Sequence, residues 1–271
     1  MSSPASHKTA SRGFYFPKEH GGWALLVAPP LVGFGAAGDP SAGPVVQFFM
    51  GALGAYLIRT PLESYLRNKG DRRALVISGI YALVGLAAFV PLIFFQGRPL
   101  LGIFGAGALA ALGFQLRLGA HRAVRSAGAE AFGISVLSLG APAAYYTATG
   151  ALDAEALNLW ALTAVFFIGP VFYVKMVMAG HIAANTEGAY EKYRFARKSA
   201  FIYHAATVAA VLAAACTGVV PFWAWLPFIV ALGKVLWRGG GGPSAADFRR
   251  VGWQEVCFSL FFVLITGAAF H

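Results

Sequence analysis

Apolar residues run through this chain in blocks long enough to cross a bilayer, with the polar residues gathered into the gaps between them. A spanning helix needs about 20 consecutive apolar residues. On that rule the pattern predicts nine spans, at 21–38, 44–66, 74–96, 99–117, 129–149, 155–180, 199–217, 219–237 and 252–270. Turn chemistry marks the gaps: Gly38-Asp-Pro-Ser41, Gln96-Gly-Arg-Pro99, Thr149-Gly-Ala-Leu-Asp153 and Gly239-Gly-Gly-Gly-Pro243. The first span is short and carries Pro29-Pro30, and only Thr217-Gly218 divides spans seven and eight. The expected fold is therefore all-α, a polytopic integral membrane bundle of about nine transmembrane helices. Residues 1–12 are rich in Ser, Pro and Thr with nothing apolar to bury, which predicts a disordered tail before a single transmembrane helical domain at 13–271. The first apolar run lacks a small-residue cleavage site and reads as an uncleaved span rather than a signal peptide.

Composition supports the bundle. Hydrophobic residues make up 58% of the chain and charged residues 12%, with a mean hydropathy of +0.65. A soluble domain averages about 25% charged residues, so this chain lacks the polar surface to cover itself in water. The 33 glycines suit helices that approach closely through small side chains. Cys216 and Cys257 fall toward opposite membrane faces in this topology, so no disulfide is expected.

The net charge of +10 is distributed by side. Of the 21 Lys and Arg residues, 20 lie in the N-terminal tail and the even-to-odd gaps (2–3, 4–5, 6–7 and 8–9) or their helix ends. Arg98 alone falls on the other side. Cationic flanks stay cytoplasmic, which predicts the N-terminus in and the C-terminus out. The positive charge is thus a topogenic signal, with no nucleic acid expected as a partner.

Ionisable residues also intrude into the apolar segments: Arg59, Glu63, Glu130, Lys175, His181, His204 and Glu255, all in the inner part of the membrane. Each costs a few kcal/mol to bury in hydrocarbon, so such residues face the bundle interior or a watery cavity. The expectation is a polar chamber open to the cytoplasm, with the 2–3 and 6–7 connections, anchored at Gly70 and Gly188, as candidate lids.

Four clusters could line it. In Phe16-Pro-Lys18-Glu-His20-Gly-Gly-Trp23, the histidine offers a base, donor or ligand near neutral pH, and the glycines let backbone or ligand come close. Arg59, Glu63 and Arg67 form one helical stripe that could clamp an anion, or else pair among themselves. Pro61 in that stripe frees the carbonyl of Leu57 and bends the helix. His181 and Asn185 share a face after span six, while Glu187, Glu191, Arg194 and Lys198 suit a solvated amphipathic segment. Phe114-Gln-Leu-Arg117, His121, Arg122 and Arg125 read as topogenic charge, and Glu130 needs a partner, for which one of these arginines is expected. No three-ligand spacing predicts a metal site.

The run Pro17-Lys-Glu-His-Gly-Gly-Trp-Ala-Leu-Leu26 resembles the opening of the YwiC-like family of bacterial membrane proteins, which implies the bacterial inner (cytoplasmic) membrane but no activity. More distantly, the chain resembles the UbiA-type membrane prenyltransferases. That resemblance implies nine helices, a cytoplasmic entrance, and polar motifs after helices two and six, with Phe114-Gln-Leu-Arg117 in place of a Tyr-x-x-Lys-like motif. UbiA-type enzymes hold Mg²⁺ and a diphosphate on two Asp-rich motifs. Here the two regions offer Arg59, Glu63 and Asp71, then His181, Asn185, Glu187 and Glu191, a set richer in positive charge than Mg²⁺ favours. The expectation is an isoprenoid or other lipid-like substrate in the chamber, its head held by Lys18, Arg59, Arg67, Asn185 and Arg117, with Glu63 and Glu130 orienting it. His20 or His181 would be the acid or base of any prenyl or lipid group transfer. The alternative is a non-enzymatic transporter or an accessory component of a membrane complex.

Overall fold

The computed structural model describes residues 20–67, 71–120 and 127–271. Eleven α-helices are present among them: α1 (His20–Ala36), α2 (Ala42–Leu57), α3 (Arg59–Arg67), α4 (Arg72–Phe94), α5 (Leu101–Ala120), α6 (Ala127–Leu137), α7 (Gly140–Thr149), α8 (Ala154–Asn185), α9 (Tyr190–Cys216), α10 (Leu226–Gly240) and α11 (Phe248–Phe270). One 3₁₀ turn, Phe222–Trp225, leads into α10, and the described residues contain no strand. Every predicted span is helical; the second is α2 with α3, and the fifth is α6 with α7. Five stretches are long and apolar enough to cross a membrane: Ala42–Leu66, Arg72–Phe94, Ala154–Asn185, Tyr190–Cys216 and Phe248–Phe270. Gly22–Ala36 and Leu101–Gly113 are shorter apolar helices. Leu83, Phe94, Ile103, Leu109 and Leu264 lie open on the outer surface. A soluble monomer does not tolerate so much exposed apolar area, whereas lipid does. The chain is a multi-pass helical membrane protein.

The short, proline-bearing first helix sits in the middle of the bundle, against α2, α6, α7, α8 and α11. Small residues let it do so. A Cβ on Gly33 would overlap the carbonyl oxygen of Ala141 and stand 2.9 Å from the Tyr145 nitrogen, so only glycine permits this crossing of α1 and α7. Gly35 meets Gly267 of α11 in the same manner, and Gly54 meets Gly85 where α2 crosses α4. Around α1 the core closes with Val32, Leu159, Phe166 and Phe262, the last two rings stacked 4.0 Å apart.

Two spans are broken, each with its freed backbone groups accounted for. Pro61 cannot donate to the Leu57 carbonyl, and the helix turns at Ile58 as its sequence predicts. In the fifth span the Leu139 N–H bonds the Val136 carbonyl, a 3₁₀ contact, and so leaves the Ser135 carbonyl over. The indole N–H of Trp160, from α8, donates to that carbonyl at 2.9 Å. Gly140, at the break, faces Pro29 and Pro30 of α1. The structure thus contains discontinuous helices in spans two and five.

The connections correct the expectation of long cytoplasmic lids. Helix α8 continues to Asn185 and α9 begins at Tyr190, so the 6–7 region is a tight turn through Gly188 (φ +81°) between two overlong helices. At about 1.5 Å per residue their 32 and 27 residues reach roughly 48 and 40 Å, beyond a hydrocarbon core of about 30 Å. Likewise α3 and α4 are separated only by residues 68–71. The tail at 1–12 and Gly70 lie outside the described residues.

Candidate functional site

At the end of the bundle that carries the basic residues, α1 meets the broken second span. Trp23 packs edge-on against Tyr56 with ring centroids 5.3 Å apart, and Gly22 lies directly beneath the Tyr56 hydroxyl, where any side chain would collide. One residue past the Ile58 break, Arg59 Nε pairs with Glu63 Oε1 at 2.9 Å. Both side chains are about one-third exposed, at 34% and 31%, so the pair lines an accessible surface rather than the core. Pro61, between them in sequence, is fully buried and fixes the turn. Asp71 is engaged otherwise: its carboxylate accepts from the Ala74 N–H at 3.0 Å and the Ser64 hydroxyl at 3.3 Å, capping α4.

Glu130 finds a partner elsewhere, while the side chains of the expected Arg117, Arg122 and Arg125 lie outside the described residues. Glu130 pairs with Lys175 of α8 at 2.8 Å, tying the first turn of α6 to the middle of the long helix. The arginine expectation rested on nearness in sequence. The chain returns through α8 to supply a cation that sequence distance hides.

His181 and Asn185 sit at the far end of α8. The Asn185 amide donates to the His181 carbonyl at 2.7 Å. His181 Nδ1 accepts the Ala246 N–H at 3.1 Å, and its ring meets Phe248 edge-on. An Nδ1 that accepts leaves the proton on Nε2 in the neutral ring. His181 therefore fastens the α10–α11 connection to α8, and only Nε2 is left for acid–base work. Lys18 and the side chains of His20, Arg67 and Arg117 lie outside the described residues.

Sequence reasoning missed a further ionic cluster. Lys234 of α10, counted above with the topogenic charge, pairs with Glu255 of α11 at 2.6 Å and is only 10% exposed. Its ammonium also lies 4.2 Å from the Tyr173 ring centroid and 4.4 Å from that of Phe258, two cation–π contacts. Both residues sit about two turns inside their helix ends, and that matching depth was the readable signal. His204 lies against the same space, with Nδ1 2.8 Å from the Ala200 carbonyl. Arg98, the lone cation of the opposite end, caps α7 by donating to the carbonyls of Thr147 (2.9 Å) and Ala148 (3.4 Å).

Three of the four carboxylates available for Mg²⁺ are committed elsewhere, Glu63 to Arg59, Asp71 to the cap and Glu191 to Arg194 at 3.2 Å, which leaves Glu187 as the fourth. These residues do not fit a Mg²⁺–diphosphate centre. No group of three or more His, Cys, Asp or Glu side chains is placed to hold a metal ion among the described residues.

Comparison with known proteins bears on the first of these corners. Residues 16–145 match the family described as YwiC-like protein. A relative from Bacillus subtilis (strain 168), named uncharacterized protein YwiC, is 28% identical over 165 residues, covering 60% of this chain and 66% of its own length. The chain therefore spans just under two thirds of that relative. No solved structure matches. The matched region contains Trp23, Tyr56, Arg59, Glu63, Glu130 and both helix breaks, but neither Lys234 nor Glu255. Over residues 16–145 the chain is therefore similar to the YwiC-like family.

Proposed function

We propose that this protein binds the polar, anionic head of an isoprenoid or other lipid-like molecule at the basic end of the bundle, where α1 meets the α2–α3 break. The observation that carries the reading is the one-third-exposed Arg59–Glu63 pair just past Tyr56, which packs on Trp23. Its two charges can be reached from the membrane surface, and the aromatic pair provides a wall for an apolar chain. An anionic head would draw Arg59 away from Glu63 and use the guanidinium bidentately, with Lys18 and Arg67 adding charge from adjoining sequence. Direct cationic binding takes over the neutralising role that Mg²⁺ plays in UbiA-type prenyltransferases, so this is a binding reading first. Group transfer, if any, would use His20 or the free Nε2 of His181.

The test is mass spectrometry of lipids and cofactors that co-purify in gentle detergent with wild type, Arg59→Ala and His20→Ala. The expected result is an isoprenoid or similar amphipath enriched in wild type and lost from the variants. The same bulk phospholipid profile in all three would overturn the reading.

A second reading, a transporter of such molecules, draws on the broken spans two and five, because transporters place discontinuous helices at their substrate sites. Uptake of a labelled amphipath into proteoliposomes, dependent on Arg59, would favour it over static binding.

A further inference from the structure

The seam between α8, α9, α10 and α11 holds an ionic centre that the lipid-head reading does not use. It surrounds a small cavity of about 10 Å³, room for about one water, with Gly169, Tyr203, His204, Thr207, Lys234 and Glu255 on its walls. His204 is 3% exposed. Its Nδ1 faces a carbonyl oxygen, which can only accept, so the neutral ring carries its proton on Nδ1 and keeps a lone pair on Nε2. That Nε2 faces Gly169, where an added Cβ would stand 3.0 Å away. Across the cavity, Glu255 binds Lys234 through Oε1 at 2.6 Å.

A second small cavity lies in the same seam, lined by Met176, Gly180, Tyr193, Arg238 and Ser244. On each of α8, α9 and α10 its residues are displaced from those of the first cavity toward the basic end. The two spaces are therefore stacked along one line, with the Tyr173 ring and the Lys234 ammonium between them. Ionisable groups at this depth are costly, and their common use is to carry ions or protons.

We propose that His204, Lys234 and Glu255 form a proton-binding centre inside the bundle, loaded from the basic end along the two stacked cavities. Loading adds one proton, carried in from the acidified solution as hydronium, to the Nε2 lone pair of His204 or to the carboxylate of Glu255. One O–H bond of the hydronium breaks, one N–H or O–H bond forms, a neutral water is left, and the proton belongs to the coupled centre rather than to either residue. The charged groups that share the cavity wall with His204 are Lys234 from α10 and Glu255 from α11, with Tyr203 its neighbour on α9; Tyr173 of α8 lies against the Lys234 ammonium. In the loaded state Glu255 holds Lys234 less tightly, so loading loosens α10 from α11.

The full-length protein in lipid nanodiscs would be acidified from mildly alkaline buffer and followed by infrared difference spectroscopy, with proton uptake counted in parallel. Wild type, His204→Gln, Glu255→Gln and Gly169→Ala would be compared. The expected result is roughly one more proton per chain taken up by wild type than by either polar variant, with carboxyl and imidazole bands that those variants lose. Gly169→Ala, which narrows the space beside Nε2 without touching a charge, is expected to reduce the uptake. Equal uptake in all four proteins, or a wild-type spectrum with no carboxyl or imidazole change, overturns the proposal. If the polar variants fail to fold, wild type against Gly169→Ala decides alone: equal uptake in those two also overturns it.

Discussion

Gly33→Ala should destabilise the protein far more than its single methyl suggests. The new Cβ would overlap the Ala141 carbonyl oxygen and lie 2.9 Å from the Tyr145 nitrogen and 3.0 Å from the Ala141 carbonyl carbon. All three atoms are α7 backbone, so no rotamer change relieves the clash. Non-bonded carbon atoms settle at about 3.5–4.0 Å, so α1 and α7 must part by roughly an ångström. That separation loosens Ala28, Val32 and Ala36 from Ala141 and Tyr145 at the centre of the core. Overpacking costs about 1–3 kcal/mol, and with rigid backbone on the α7 side the cost here falls in the upper part, about 2–3, while replacing a helical glycine by alanine returns up to about 1 kcal/mol. The net expected loss is about 1–2 kcal/mol, a fall in melting temperature of roughly 2–8 °C for a chain of this size. The assay is thermal melting of purified protein in one detergent, with Gly79→Ala as the control. Gly79 lies inside α4 with nothing within 4 Å of an added Cβ, so alanine there should be neutral or stabilising. If Gly33→Ala melts at or above wild type, α1 and α7 do not cross as described.

Three further outcomes follow from the same geometry. Lys234→Ala, which strands the mostly enclosed Glu255 (17% exposed), should cost up to about 3 kcal/mol, and Lys234→Met combined with Glu255→Gln should recover most of it in the same melting assay. Arg59→Ala removes a one-third-exposed i,i+4 pair whose own worth is about 0.3–0.5 kcal/mol, so its melting temperature should barely move while lipid retention falls. Trp160→Phe leaves the Ser135 carbonyl at the α6–α7 break without its donor and should cost about 1–3 kcal/mol, measured by melting and by faster hydrogen exchange at residues 135–140.

Much of the fold was legible because lipid imposes a single rule: apolar segments must be helices and polar residues must collect at their ends. Under that rule every predicted segment is helical, five stretches being long and apolar enough to span, and Pro61 announced the Ile58 break by its missing N–H. The break at Ser138-Leu139 was harder to read. Its surroundings are apolar, and the partner that satisfies the freed carbonyl, Trp160, comes from another helix. The ends of α8 and α9 were misjudged because polarity was taken as loop, whereas Glu187, Glu191 and Arg194 lie in or beside helices that have left the hydrocarbon. Pairings across the bundle were the least legible part of the candidate site. Glu130 finds Lys175, and Lys234 finds Glu255, because α6 lies on α8 and α10 on α11. Beyond the matching depths of Lys234 and Glu255 in their helices, local spacing carries none of that information.

The overlong α8–α9 hairpin also gives the molecule a rigid external handle. Its tip at Gly188 turns between two helices that hold each other through Tyr193 and Gly180, beyond the reach of the bilayer. A short epitope or a small fused domain grafted there would ride on ordered helices, clear of the lipid-facing belt. Such a graft would report which compartment the basic end occupies through its access to antibody in sealed cells. It would also add asymmetric mass to a particle that otherwise offers single-particle imaging little outside its micelle.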